Sequence, residues 1–480
     1  MINKNALTSR LVHARPMLCR LVPTAAILFF LAWCFVSVRS DFSWDDADPE
    51  VLNQAWRLAN GESIYHAIDS PPFTFAAYPP IYFALSALLM KFTGLSFLPA
   101  KLLSFLSALS IGWALVRLDH EWNKTGKGGI WTTFFLFLIP AFLYNSTRSN
   151  VQFMAVAFSV WSLVFFLRNR WKETVIISPL FAVLAFFTKQ TQVALPLAMM
   201  IYLALRNRRW LIPYAATLTI AGLIPFLWLQ KITNGYFFID TVRLAGISYD
   251  VFQIPPILIL HAGPVFLFIC IALLTSWKRF RDGTWEPIDY YLGCVLAITL
   301  VSLGRIGAHG QYVLELLVAT LLYLLRTTGL PAIPGKEALV SIQIIFLSCY
   351  TPLFIFFQEG LFDIPANNAA TQIYPLLRGQ SGPVLSQQGS FALFGRGEIF
   401  IQLFHFTALS RAGMWDQNLL LREIDAKTFS YVITEFPISQ SISSGDAQER
   451  FTPEMLEALR KNYRLDRAVN PYYLYVPRSR

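Results

Sequence analysis

Five acids fall within ten residues at Asp41-Phe42-Ser43-Trp44-Asp45-Asp46-Ala47-Asp48-Pro49-Glu50, in a chain where only 14% of residues are charged. The segment follows an apolar run near Pro23–Val38. Carboxylates beside a bilayer would repel anionic headgroups, so their concentration asks for a chemical reason. General-base chemistry is the first: a positioned carboxylate takes the proton from an attacking hydroxyl. Asp46 and Asp48 are the leading candidates for that base. Asp45 or Glu50 can orient the acceptor, or raise a neighbour's pKa by like-charge repulsion. A plainer reading has the acids capping a helix over Pro49–Ala59, with Pro49 in its first turn.

Cations that would suit a phosphate lie further along. Lys189 sits in the four-residue polar break Thr188-Lys189-Gln190-Thr191 between two apolar runs, where a lysine is expensive without a partner or a function. Arg305 lies in the Gly-rich segment Gly304–Gly310, whose backbone N–H groups can also approach an anion. Arg148 and Arg243 are the remaining candidates, and each of the four could instead snorkel to the interface. Tyr65, Tyr78, Tyr82 and Tyr312 can stack on a sugar ring or serve as interfacial anchors. His66 and His309 read more readily as hydrogen-bonding loop residues. Glu315, one turn into an apolar run, is costly if it faces lipid and so is expected to face a cavity.

The elements that must hold these residues are membrane helices. The chain of 480 residues is 55% hydrophobic and contains 41 Phe, outside the range of soluble domains. Apolar runs recur that are long enough to cross roughly 30 Å of hydrocarbon, and their continuity excludes an outer-membrane barrel. We expect an α-helical polytopic protein of about eleven transmembrane helices. The net charge of +10 falls mainly in alternate connecting loops, which encodes topology and not nucleic-acid binding. That alternation puts the N-terminus in the cytoplasm and a first outer loop at residues 39–97, with Pro79–Phe92 as an interfacial or re-entrant helix. The expected spans include Ile130–Tyr144, Val175–Phe187 and Pro255–Ser276. Residues 1–357 form the membrane domain on this reading. Residues 358–480 form a small extracytoplasmic α/β domain, with strands at Pro383–Gln387, Tyr431–Thr434 and Tyr472–Val476 and helices at Asp416–Ile424 and Pro453–Asn462. The five cysteines fall in or beside apolar runs, so no disulfide framework is expected.

Asp45-Asp46-Ala47-Asp48-Pro49-Glu50, then Ala55–Tyr65, Pro71-Pro72 and Tyr78-Pro79-Pro80-Ile81-Tyr82, resemble the first outer loop of the GT-C glycosyltransferases. Phe187–Thr191 and Gly304–Tyr312 resemble segments of bacterial branches, and the likeness covers roughly residues 20–330. These are polytopic enzymes that use polyprenyl-phosphate-linked sugars, such as protein O-mannosyltransferases and lipid A aminoarabinose transferases. The resemblance implies an inverting transfer from that lipid to an acceptor hydroxyl on a lipid, glycan or protein, with a first-loop carboxylate as base. It also implies an integral protein of the membrane, and the lack of disulfides points to a bacterial inner membrane. Asp46-Ala47-Asp48 spells the Asp-x-Asp that nucleotide-sugar transferases use for Mg or Mn. Here it follows an apolar run, so a divalent cation is a secondary expectation and no metal ligands are assigned. The rival readings are a transporter or flippase of lipid-linked sugars, and a non-catalytic protein of envelope assembly. A transporter would favour inverted repeats and paired broken helices, and no convincing repeat is present.

Overall fold

In the computed structural model the chain is mostly helical, with one four-stranded sheet near the C-terminus. The structure describes residues 28–38, 42–43, 47–124, 126–246, 249–326, 336–357, 363–439 and 445–479. Asp45 and Asp46 lie outside them.

The segment expected to be the first outer loop opens with helix Ala47–Ala59, whose first turn carries Asp48 and Glu50 and whose last turn carries Arg57. Both ends therefore suit the helix dipole. Helix Ile81–Thr93 follows, ending at Gly94 with φ +73°. The long helix Leu98–Asn123 then packs its Ala108, Ile111, Ala114, Leu115 and Leu118 face into the main core. It lies against Lys127–Phe137 so closely that a Cβ on Gly129 would come within 2.5 Å of the Val116 backbone.

Several expected spans are interrupted, and the cause is backbone chemistry that hydropathy does not register. The run expected at Ile130–Tyr144 is two helices, Lys127–Phe137 and Pro140–Ser146, bent by 80°. Pro140 donates no hydrogen bond and pushes Ile139 into the extended region, at φ −75° and ψ 122°. The run expected at Pro255–Ser276 is likewise divided into Ile254–His261 and Phe266–Arg281 by the 3-10 turn Gly263–Val265. That at Val175–Phe187 begins as the π-helical turn Glu173–Ile177 before Ser178–Thr188. Among the described residues, three helices are long and apolar enough to cross a membrane: Leu98–Asn123, Arg208–Ile232 and Gly263–Arg281. The bent pair raises the count to four, and eight further apolar helices have 10–17 residues. On length and composition the chain is an integral membrane protein, and the expected count of eleven spans is not confirmed among the described residues.

The sheet has the order β1-β2-β4-β3, with β1 at Val384–Ser386, β2 at Tyr431–Thr434, β3 at Tyr463–Val469 and β4 at Tyr472–Pro477. Strands β1 and β2 are parallel, while β4 is antiparallel to both its neighbours. Helix Pro453–Asn462 is capped by Thr452, whose side chain accepts from Met455 N–H at 3.2 Å. β3 is an edge strand missed in the sequence, because only Tyr463 is fully buried along it. Its Arg464, Asp466 and Arg467 guard the open edge with charge.

The first outer loop is built into this tail. Phe73 and Phe75 belong to the same core cluster as Phe406, Trp415, Val432 and Tyr475. Phe73 N–H donates to Phe400 O at 2.7 Å, and Gln402 N–H donates to Phe73 O at 3.1 Å. The side-chain oxygen of Gln402 also accepts from Phe75 N–H at 3.1 Å. Loop and tail thus share backbone hydrogen bonds and apolar surface.

Candidate functional site

Asp48 sits at the start of helix Ala47–Ala59, 3% exposed. One oxygen accepts from Ser43 Oγ at 2.9 Å and from Arg148 Nη1 at 3.4 Å, and the other accepts from Ser149 N–H at 3.1 Å. Arg148 also donates to Ser43 Oγ at 2.9 Å and to the Tyr144 hydroxyl, and its guanidinium lies 4.4 Å from the Tyr144 ring centroid. The Pro140 bend makes this possible by turning Asn145–Asn150 inward. Asn150 then caps helix Val151–Leu167, accepting from Gln152 N–H at 2.9 Å. Both carboxylate oxygens of Asp48 are engaged, and the Arg148 charge faces an acid.

Lys189 caps the end of helix Ser178–Thr188 in extended conformation, so its side chain turns into the protein. The residue is 0% exposed, and its Nζ has no hydrogen-bond partner among the described residues. It lies 3.8 Å from the Tyr312 ring centroid and 5.4 Å from that of Tyr78. The two tyrosines share a side-chain hydrogen bond, closing an aromatic cover over the amine. Ring faces attract a cation, but they do not replace the acceptors that a buried ammonium needs. Arg305, half-buried, is near enough for its charge to act on both Lys189 and Tyr312. Glu315, 5% exposed, accepts from the Tyr291 hydroxyl at 3.0 Å and acts on Lys189 from the other side.

The first outer loop reaches this second cluster at its far end. Tyr65 donates its hydroxyl to Tyr78 O at 2.9 Å, fixing the backbone that carries the cover. Gln190 Nε2 donates to Ala77 O at 2.9 Å and to Thr241 O at 2.7 Å, joining the Lys189 break to two distant segments. One loop therefore starts at the Asp48–Arg148 pair and ends over Lys189.

The other expected residues fall elsewhere. Tyr82 is fully buried, its hydroxyl bound to Ala100 O at 2.6 Å and Ser104 Oγ at 2.8 Å, which makes it a strut between helices. Arg243 is exposed. His309 is exposed, with its ring centroid 5.3 Å from that of His261. Glu50 lies 3.1 Å from His405 Nδ1, beside a narrow crevice lined by Ser386, Gln387 and Phe404 of the tail. Among the described residues no group of three or more His, Cys, Asp or Glu gathers to hold a metal ion.

Sequence reasoning missed Asp240. It sits in the π-helical turn Ile239–Arg243, 0% exposed, with both carboxyl oxygens lacking a hydrogen bond of normal geometry. Burial pushes its pKa up to about 8, against the pull of the His66 and Ala76 backbone N–H groups that point towards it. The available signal was an acid inside the apolar stretch Tyr236–Val242.

No family model matches the chain, and no curated protein does. Its fold does match solved structures. ArnT from Cupriavidus metallidurans bound to undecaprenyl phosphate aligns at a TM-score of 0.62 with 12% identity, over 94% of this chain and 97% of that one. The same protein in the apo state aligns at 0.64 with 12% identity, over 94% and 98%. This chain has the fold of ArnT.

Proposed function

We propose that the chain is a membrane glycosyltransferase, moving a sugar from a polyprenyl-phosphate carrier to an acceptor hydroxyl with inversion at the anomeric carbon. The observation that carries this reading is Lys189: a buried amine without a hydrogen-bond acceptor, under two tyrosines and beside Arg305. A phosphate supplies the hydrogen-bond acceptors that the Lys189 amine lacks. The likeness to ArnT bound to undecaprenyl phosphate favours a lipid phosphate over a soluble one. As the sugar–phosphate bond breaks, Lys189 and Arg305 stabilise the charge that grows on the leaving phosphate. Donor binding first requires Tyr78 and Tyr312 to give way to the phosphate, after which they flank the sugar.

Asp46 takes the acceptor proton in this scheme. Asp48 is committed to Arg148 and Ser149 and holds the loop in place, so of Asp45, Asp46 and Asp48 the first two remain for chemistry. Arg148 belongs to that anchor and not to the donor site. Glu50 and His405 border the crevice on the side of the tail and suit contacts to the acceptor. The first outer loop and residues 358–480 lie on the extracytoplasmic side of a bacterial inner membrane, with the N-terminus cytoplasmic.

The test is transfer from a polyprenyl-phosphate sugar by the purified chain. Asp46→Asn should lower kcat by about 100-fold or more, the usual contribution of a general base, with the fold intact. Full activity in Asp46→Asn would remove it as the base.

A further inference from the structure

The unexplained group in this region is Asp240. It is fully buried, and neither carboxyl oxygen makes a hydrogen bond of normal geometry. The groups around it come from the first outer loop: the backbone N–H of His66 and Ala76, and Tyr65, whose hydroxyl feels the Asp240 charge. The neighbouring Thr241 carbonyl accepts from Gln190, which also holds Ala77 O. The strap 65–78 is therefore fastened at both ends around one acid, and Tyr78 at its end covers Lys189.

We propose that Asp240 is a positioning residue: buried as the uncharged acid, it lets the strap 65–78 of the first outer loop stay closed over the turn Ile239–Arg243, and its ionisation loosens that strap. The consequence for the donor rests on the reading of Lys189 as a phosphate site, but the fastening does not. An ionised carboxylate in this dry position would need two or more good hydrogen bonds or water. The two backbone N–H groups do not close on it, so water must enter, and the strap must move to admit it.

The sign of the pH effect follows from proton counting. With the strap closed, Asp240 keeps its proton up to about pH 8; with the strap open, it ionises like an ordinary aspartate near pH 4. Between those values the closed form holds one proton more, so closure weakens as pH rises and levels off above about 8. Tyr65 is held well above its ordinary pKa and stays protonated throughout. His66, with its pKa lowered by burial, is neutral above pH 7. Arg243 on the same turn is exposed.

The experiment is backbone hydrogen exchange on the full chain in nanodiscs at pH 7 and 8, corrected for intrinsic rates. Wild type is compared with Asp240→Asn, an amide that matches the uncharged acid in shape. In the wild type, protection across 65–78 should fall roughly fivefold over that pH unit, while the helices Leu98–Asn123 and Val151–Leu167 keep theirs. In Asp240→Asn the pH-dependent loss should vanish. Lys189 is present in both chains and drops out of the comparison. Equal pH slopes in the two chains would overturn the proposal, as would an Asp240→Asn chain that fails to fold. Neither result depends on any transfer activity, so failure of the proposed function would leave this outcome intact.

Discussion

Asp48 and Arg148 meet at 3.4 Å with side chains 5% and 6% exposed. At that burial the pair matters more for what its loss uncovers than for its own attraction. Removing one partner leaves an uncompensated charge, at a cost of about 3–5 kcal/mol. Asp48→Asn should therefore lower the thermal stability of the detergent-solubilised chain. Adding Arg148→Met should recover part of it by removing the stranded charge. If Asp48 were the base instead, Asp48→Asn would abolish transfer without moving the melting temperature. The acid cluster was visible in the sequence, but not which acid is committed to structure. That depends on Arg148 arriving from a segment 100 residues away.

Two glycines divide the behaviour of the elements. A Cβ on Gly310 would come within 2.3 Å of His261 Nδ1, so the 3-10 helix Gly310–Val313, which carries Tyr312, can sit against His261 only without a side chain there. Gly310→Ala should displace this turn and weaken binding of a polyprenyl phosphate about tenfold, read as a shift in Kd. A Cβ on Gly293, inside helix Pro287–Leu303, would meet nothing within 4 Å. Gly293→Ala should leave Kd unchanged and stabilise the helix by roughly 1 kcal/mol. An equal effect of the two substitutions on Kd would argue against a positioned turn. The helices themselves were legible from apolar composition, and β2 from its run of Tyr431-Val432-Ile433-Thr434. The breaks at Pro140 and Pro264 were not, because hydropathy counts apolar side chains and ignores a missing N–H. Strand β3 was hidden for the opposite reason: its exposed charges look like a loop until β4 pairs with it.

The whole molecule reads as one loop held at three points. Its start is pinned by Asp48 to Arg148, its middle by Phe73 and Phe75 to the tail, and its end by Gln190 to the turn at Thr241. The sequence supplied the residues at either end of that loop and the break that holds Lys189. It could not supply the middle anchor, because the contact between Phe75 and Gln402 spans 327 residues, nor Asp240, whose role depends on what covers it. The central claim is that the buried amine of Lys189 receives a lipid phosphate. The direct measurement is binding of undecaprenyl phosphate to the purified chain in nanodiscs, for the wild type and for Lys189→Met, which keeps the length and apolar stem. Saturable binding by the wild type, weakened at least about tenfold in Lys189→Met as expected for loss of a charge-assisted contact, is the predicted result. Equal affinity in the two chains would contradict it.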